Sequence, residues 1–426
     1  MTSPLLLKNM ILKNSVCDIL IENGIFSRIE TQINAPADGS WRIIDGKGKL
    51  AVSPAFYNTH THAAMTLLRS YADDMELFKW LQNFIWPVEA KLTPEDIYIG
   101  SKLAMLEMIR TGTVFFNDMY WHPMETIKAA KEMKMRAAVG MLFLSGSDPA
   151  LEEKNNAVNA ELEANRTSIE ADGKICLTLA PHAIYSVSRE KLEFAADKAR
   201  RENYYLHIHL AETRTERDDC LKKYRMTPTE YLDSVNFLGS RTLLAHSLYL
   251  ERADIELIKQ TNSHISHMPC SNMKLGSGSF HYHEIVEDAG CSITIGTDGN
   301  ASNNNLSMLE EMKFAALSAK RQAHDPEVAN AADIFCAATR NGAEAFGING
   351  GVIEVGKAAD CLLIDIENPF MVPNYHLESN LVYSADSSCI DSVICGGDIL
   401  MLHKYIEGEK EILQAARECC RRLVKN

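Results

Sequence analysis

Short apolar stretches alternate with longer amphipathic segments along most of the chain, starting near residue 50. The short stretches are typical of strands, whereas the longer ones repeat apolar residues at helical spacing, as in 94–110 and 306–319. Eight stretches are predicted as strands: 50–59, 112–118, 136–144, 174–180, 204–210, 242–245, 264–267 and 292–296. Eight alternating units over roughly 300 residues have the number and size of a TIM-like (β/α)8 barrel, so we predict this α/β fold.

The two ends of the chain have a different pattern from the middle. Residues 1–52 alternate as short strands with polar turns, and the same pattern returns at 351–403. Neither piece has enough apolar surface to fold alone. We therefore predict a barrel domain at 54–347 and a small β-sandwich domain built from 1–53 and 348–426, closed by a helix at about 410–424.

Five of the eight predicted strands end in residues that can bind metals or move protons. Active sites of such barrels lie at the carboxyl ends of the strands, so these side chains are expected to converge. Three imidazoles and a carboxylate at one mouth would suit a divalent ion. At these five strand ends, the residues that can bind metals or move protons are His60 and His62 after the first strand, His182 after the fourth, His209 and Glu212 at the fifth, His246 after the sixth and Asp298 after the eighth.

Composition narrows the class of protein further. With 43 Lys+Arg against 57 Asp+Glu the net charge is −14, and without a basic patch this opposes binding to nucleic acid or to an anionic membrane. The apolar stretches fall far short of the roughly 20 residues that span a bilayer. Eleven cysteines without a CxxC pair fit reduced thiols, and no signal peptide is evident, so we expect a cytoplasmic protein.

Two other features have a simpler interpretation. His207 shares a strand face with His209 but lies one barrel layer deeper, so it is interpreted as structural. The stretch Gly351–Lys357 imitates a phosphate loop, but Ala358 replaces the metal-binding hydroxyl. A nucleotide phosphate site is therefore not predicted.

Seven motifs in one order, from residue 58 to 304, resemble the amidohydrolase superfamily. They are NTHTHAAM, WLQNFIWPVEAKL, APHAIYS, HIHLAET, LLAHSLYL, HMPCSNMKLGSG and GTDGNASNN. Within that superfamily the chain is similar to the 5-methylthioadenosine/S-adenosylhomocysteine deaminases and the related triazine chlorohydrolases. The combination of motifs is specific for the superfamily and less specific for the substrate.

The resemblance implies one divalent ion held by His60, His62, His209 and Asp298. Related binuclear enzymes use a carboxylated lysine at the end of strand four, where this chain reads APHAIYS without a lysine. Zinc is the first choice for this ligand set, and iron would accept the same ligands.

The resemblance also implies hydrolytic deamination at C6 of a purine. A metal-bound hydroxide would attack C6, and Asp298 would take its proton while His246 orients the oxygen. Glu212 would protonate the neighbouring ring nitrogen, and burial would raise its pKa for this task. Loss of ammonia completes the reaction.

Substrate contacts follow from the same resemblance. Glu89, in WPVE, would bind the ribose hydroxyls, and His182 would bind the purine. Met65, Trp80 and Phe84 would form an apolar wall for a 5′ substituent. The segment after strand three, VGMLFLSGSDPALEE, has no arginine for an amino-acid carboxylate, which favours 5′-methylthioadenosine, 5′-deoxyadenosine or adenosine over S-adenosylhomocysteine.

Two alternatives remain open at this point. One is a hydrolase of the same barrel acting on guanine, a pterin or a chlorotriazine. The other is a non-catalytic barrel that serves as a binding module, which the complete set of ligands disfavours. Nothing in the chain specifies homo-oligomerisation, which stays open.

Overall fold

A computed structural model of the chain describes residues 3–75, 77–146 and 149–424. Sixteen strands in these ranges form two sheets of eight. The strands are β1 (Leu5–Leu12), β2 (Ser15–Glu22), β3 (Ile25–Glu30), β4 (Arg42–Asp45), β5 (Leu50–Pro54), β6 (Phe56–Thr61), β7 (Thr113–Asp118), β8 (Arg136–Phe143), β9 (Ile175–Pro181), β10 (Tyr205–Leu210), β11 (Thr242–His246), β12 (His264–His267), β13 (Ser292–Ile295), β14 (Cys361–Asp365), β15 (Ile390–Cys395) and β16 (Asp398–Met401).

Strands β6 to β13 are all parallel and neighbour one another in chain order. The Thr59 hydroxyl lies 2.7 Å from that of Thr294, and the Thr297 N–H donates to the His60 carbonyl at 3.0 Å, so the first and last strands meet. The sheet is therefore a nearly closed eight-stranded barrel, and the predicted fold class is confirmed.

Helices occupy most connections between the barrel strands. Their N-termini carry the expected caps: Thr93 and Asp96 form a capping box at the first long helix, and Ser307 accepts the Glu310 N–H at another. The helices are α1 (Leu77–Trp80), α2 (Trp86–Glu89), α3 (Pro94–Arg110), α4 (Pro123–Glu132), α5 (Pro149–Ala164), α6 (Arg166–Ile169), α7 (Arg189–Glu202), α8 (Arg214–Tyr224), α9 (Pro228–Asp233), α10 (Arg252–Thr261), α11 (Pro269–Lys274), α12 (Met308–Ala323), α13 (Ala331–Ala338), α14 (Arg340–Ala345), α15 (Leu377–Tyr383) and α16 (Glu409–Val424).

Shorter helical segments complete the connections. Three are 3-10 turns, at Ala63–Leu68, Pro369–Met371 and Ser387–Cys389. Two are π-helical, at Leu81–Ile85 and His283–Asp288. None of the helices in the described ranges combines the length and the apolar character needed to cross a bilayer.

The second sheet joins both ends of the chain. Its order is β16-β15-β14-β5-β1-β2-β3, with β4 paired to β1. Strands β5 and β14 are antiparallel, with Pro54 opposite Cys361 and Leu50 opposite Asp365. A sheet with strands from both termini is what the sequence pattern indicated, while the domain limits at 53/54 and 347/348 stay a prediction.

The predicted strand 50–59 is wrong as a single element. It is two strands: β5 belongs to the sheet of the termini and β6 opens the barrel. Pro54 ends β5, since proline has no N–H for a sheet ladder, and the Ala55 N–H donates to the Asp360 carbonyl. The apolar run is continuous across this change of sheet, so periodicity could not reveal it.

The C-terminal helix α16 forms where it was predicted, and its main neighbour is a barrel helix. It lies mainly along α3, on the outside of the barrel. Arg110 pairs with Glu409 at 2.6 Å, Arg422 pairs with Asp96, and the Cys420 thiol approaches the Leu67 carbonyl at 3.4 Å. These partners are barrel residues, and the assignment of the helix to the terminal β domain stays a prediction.

Candidate active site

Three imidazoles and one carboxylate meet at the carboxyl ends of the barrel strands. His62 Nε2 lies 3.3 Å from Asp298 Oδ1 and 3.3 Å from His209 Nε2, and His60 Nε2 lies 3.6 Å from Asp298 Oδ1. His60 and His209 lie near the carboxyl ends of β6 and β10, and His62 and Asp298 follow β6 and β13, which the barrel brings to one mouth. The structure thus brings together the four residues that the sequence analysis singled out as ligands.

The rings are oriented for coordination through Nε2. His62 Nδ1 lies 2.6 Å from the Met119 carbonyl, and His209 Nδ1 lies 2.7 Å from the His182 carbonyl. A carbonyl oxygen only accepts, so each Nδ1 carries the proton and donates it. The unprotonated Nε2 atoms therefore face the centre, as metal-bound histidines require.

His60 is the most enclosed of these histidines. Its side chain is fully buried, Nε2 has no hydrogen-bond partner within the described chain, and Nδ1 lies 2.7 Å from His207 Nε2. Burial lowers the pKa of His60 to about 4 and places that of His209 well below its usual range. Neutral imidazoles and an unpartnered buried nitrogen fit a site for a divalent metal ion.

Asp298 is held on both carboxylate oxygens. The Ser271 hydroxyl donates to Oδ2 at 2.6 Å and the Gly299 N–H donates to Oδ1 at 2.8 Å. Burial acts to raise the pKa of Asp298, but the neighbouring imidazoles of His60 and His62 outweigh it and hold the pKa well below its usual range. Asp298 is therefore ionised, as a metal ligand or a base must be.

His246 faces the same centre from the end of β11. Its Nδ1 lies 2.7 Å from Asn272 Oδ1, and its Nε2 lies 3.9 Å from Glu212 Oε2. Burial acts to lower the pKa of His246, but the carboxylates of Glu212 and Asp298 raise it overall. The ring can therefore donate a hydrogen bond into the pocket.

Glu212 lies three residues after His209 and is buried. Its carboxylate receives a long hydrogen bond, 3.4 Å, from Ser277. Burial raises the pKa of Glu212, which is the direction predicted for a group that must carry a proton.

The predicted ribose contact, Glu89, lies at the end of α2. The Tyr120 hydroxyl donates to its Oε1 at 2.7 Å, and burial raises the pKa of Glu89, opposed in part by the Tyr120 hydrogen bond and the charge of His62. Glu89 is thus within electrostatic reach of the metal-site histidines. It lies at the same mouth although it is 27 positions from His62 in the sequence.

His182 and Met65 border the centre directly. The His182 ring lies 4.8 Å from the ring of His209, and its Nδ1 is 2.7 Å from the Ser186 hydroxyl. Burial lowers the pKa of His182 to about 4. A Cβ atom added at Gly299 would lie 2.6 Å from the sulfur of Met65, so Met65 packs against the loop that carries Asp298.

Trp80 and Phe84 lie in an apolar cluster beside the centre. The Trp80 indole N–H donates to the Ala72 carbonyl at 2.9 Å, and the ring is 4% exposed in a cluster that also contains Met65 and Val88. Phe84 packs on this cluster and is partly buried. Their predicted role as a substrate wall stays a prediction.

Several residues around the centre were not assigned by sequence reasoning. Most act through a side-chain contact that is distant in sequence, so no local spacing pointed to them; Glu216 is the exception, four positions after Glu212. Ser271, Asn272 and Ser277 do fall within HMPCSNMKLGSG, a stretch recognised as a motif without roles for its members. The unassigned residues are Asn117, Glu216, Ser271, Asn272 and Ser277.

This barrel with a histidine and aspartate centre defines a metal-dependent hydrolase. The chain belongs to the amidohydrolase family, whose sequence profile matches residues 51–400.

Two relatives are similar to this chain over most of its length. A protein of Archaeoglobus fulgidus named 5-methylthioadenosine/S-adenosylhomocysteine deaminase 1 is 44% identical over 92% of this chain and 93% of its own. A 5′-deoxyadenosine deaminase of Methanospirillum hungatei JF-1 is 45% identical over 88% of this chain and 83% of its own. Among solved structures, an adenosine deaminase from Xanthomonas campestris with bound zinc superposes with a TM-score of 0.90 at 30% identity, over 99% and 98% of the two chains.

Proposed function

We propose that this protein is a metal-dependent hydrolytic deaminase of an adenosine-type nucleoside. Its substrate is 5′-methylthioadenosine, 5′-deoxyadenosine or adenosine rather than S-adenosylhomocysteine. The observation that carries the proposal is the convergence of the His60, His62, His209 and Asp298 group with a buried Glu212 that has a raised pKa. The names of the relatives from Archaeoglobus fulgidus and Methanospirillum hungatei support the reaction class.

One ion, held by His60, His62, His209 and Asp298, is sufficient for this chemistry. The end of β9 offers no lysine that could bridge a second ion. Zinc is preferred over iron because nitrogen and carboxylate ligands suit zinc and because the Xanthomonas campestris relative was solved with zinc. When bound, the ion lowers the pKa of a water molecule towards neutrality.

The protein side chains then move the protons. Asp298 accepts a proton from the attacking water, and His246 donates a hydrogen bond that fixes the water oxygen near C6. Glu212 protonates the ring nitrogen next to C6, which makes that carbon electrophilic. Glu212, now deprotonated, takes the remaining proton of the attacking water and passes it to the exocyclic amine. The C6–N bond then breaks, ammonia leaves and the C6 carbonyl forms.

The nucleoside is held by groups at the same mouth. Glu89 accepts hydrogen bonds from the two ribose hydroxyls, and the Tyr120 hydroxyl holds Glu89 in place. His182 contacts the purine, and Met65, Trp80 and Phe84 surround the 5′ substituent.

A panel of purines tests the proposal. Zinc-loaded protein is incubated with 5′-methylthioadenosine, 5′-deoxyadenosine, adenosine, S-adenosylhomocysteine, adenine and guanine, and the ultraviolet change from amino- to oxopurine is followed. The three small nucleosides are expected to give the highest kcat/KM, and Glu212→Gln is the inactive control. Turnover of guanine alone would favour the alternative heterocycle, and no turnover with intact metal binding would reject catalysis.

A further inference from the structure

Glu216 is a buried acid without a cation. It lies in the first turn of α8, is 4% exposed, and forms none of the ion pairs found among residues 3–75, 77–146 and 149–424. A carboxylate is seldom buried without a partner, because its desolvation is costly. Its partners are instead two backbone N–H groups, of Ala211 at 3.0 Å to Oε1 and of Glu212 at 2.9 Å to Oε2.

These two N–H groups belong to a strained turn. Ala211 follows β10 and has a φ of +48°, a left-handed conformation that a residue with a Cβ adopts at an energetic cost. The carbonyl of Ala211 already accepts the N–H groups of Leu248 and Tyr249, both at 3.1 Å. Without Glu216 the two N–H groups at this turn would be buried without an acceptor.

The side chain of Glu212 depends on this turn for its direction. Its carboxylate has one long hydrogen bond, from Ser277, and lies 3.9 Å from His246 Nε2. Because these side-chain contacts are weak, the backbone conformation at Glu212 determines the direction of its carboxylate. That backbone is fixed on its N–H side by Glu216.

We infer that Glu216 is a positioning residue, which aims the Glu212 carboxylate at the ring nitrogen and leaving amine of the substrate. The inference rests on the proposed deaminase function. A carboxylate suits the role because both of its oxygens accept. Glutamine would turn an NH₂ group towards one of the two backbone N–H groups and leave that N–H unpaired.

The test compares two leaving groups. Adenosine loses ammonia, which requires a proton on the leaving amine. After water adds to C6 of 6-chloropurine riboside, the leaving group is Cl⁻, which departs without being protonated. For Glu216→Gln we expect kcat with adenosine to fall about 10- to 100-fold, the range for residues that orient a catalytic group, with KM within about twofold. The fall with the chloro compound is expected to be several-fold smaller. Asp219→Asn, on the exposed face of the same helix, is the matched control and should leave both rates unchanged.

A double variant separates positioning from general structure. If Glu216 acts through Glu212, Glu216→Gln added to Glu212→Gln lowers the residual rate no further. Any one of three results would overturn the inference. These are equal losses of rate for both leaving groups, a full further loss in the Glu212→Gln background, and rates for Glu216→Gln that are unchanged like those of Asp219→Asn. If the glutamine variant does not fold, Glu216→Asp, which keeps both acceptor oxygens, is measured and judged in the same way. A wild-type protein that turns over no purine nucleoside would instead refute the proposed function.

Discussion

His207 Nε2 lies 2.7 Å from Nδ1 of His60, inside the barrel and away from solvent. On its other side, His207 Nδ1 lies 3.0 Å from the Asn117 amide nitrogen, and the same amide donates to the Thr59 carbonyl at 2.9 Å. The orientation of the His60 ring is therefore fixed by a chain of side chains that reaches back to the neighbouring strand. His207, interpreted from the sequence as structural, supports a proposed metal ligand.

Removing this support is expected to weaken metal binding. For His207→Ala we predict a loss of about 10- to 100-fold in affinity for zinc, because partners of metal-bound histidines have effects of this size. Competition with a chromophoric chelator measures the affinity. His264→Ala, on β12 and hydrogen-bonded to Ser292, serves as the control. An unchanged affinity would show that His60 needs no such support.

Glu212→Gln is expected to retain metal and fold while losing several orders of magnitude in kcat, because an amide cannot carry the proton that the ring nitrogen needs. Metal analysis and circular dichroism check the first expectation, and steady-state rates check the second. Turnover within tenfold of wild type would remove Glu212 from the mechanism.

Glu89 is expected to matter for nucleosides and not for free bases. Glu89→Ala should lower kcat/KM for adenosine by at least about 100-fold, since two hydrogen bonds to a charged group are lost, and leave that for adenine nearly unchanged. Tyr120→Phe, which removes the 2.7 Å hydrogen bond to Glu89, should show a weaker effect of the same kind. The ratio of the two kcat/KM values is the measurement. Equal losses for base and nucleoside would contradict the ribose assignment.

Glu311 is expected to make stability depend on pH. It is fully buried in α12, where it accepts the Cys270 N–H at 3.1 Å and the Asn303 amide at 2.5 Å, and burial raises its pKa to about 8. Asn303 also donates to the Thr297 carbonyl at 2.7 Å, beside Asp298. Glu311 therefore connects α11 to the loop that carries Asp298.

Because its pKa is higher in the folded than in the unfolded protein, Glu311 is deprotonated first in the unfolded state as the pH rises. Wild-type protein should therefore lose unfolding free energy relative to Glu311→Gln between about pH 4.5 and pH 8, approaching 1.4 kcal/mol per pH unit, and no further above that range. Urea unfolding at pH 5, 6, 7 and 8 measures this difference. Glu310→Gln, on the exposed side of the same helix, should keep the wild-type pH dependence. A difference between wild type and Glu311→Gln that does not vary with pH would contradict the raised pKa.

The sequence was most informative for residue types that have few roles at the end of a buried strand. Histidines and acids at strand ends located the mouth of the barrel, because alternation and strand order fix where a strand end points. It was least informative at Pro54, where one continuous apolar run is divided between two sheets. For α16, the amphipathic pattern predicted a helix but not the surface against which the helix packs. Local periodicity reports that a face is buried and not against which partner.

The side-chain contacts that hold the site residues in place could not be predicted from the sequence, for a related reason. Ser271 and Asp298 are 27 positions apart, and His60 and His207 are 147 positions apart. Such pairs depend on the register of the closed barrel, which a single sequence does not encode in any short window. Glu216 is different, since it lies only four positions after Glu212.

The antiparallel pairing of Leu50–Pro54 with Cys361–Asp365 has a consequence for synthesis on the ribosome. Strand β5 emerges early, yet its neighbour β14 follows all eight barrel strands, so the exposed edge of β5 must wait unpaired while the barrel is made. During that interval the nascent chain presents a free strand edge to other chains. The synthesis of β14 is the event that ends this exposure.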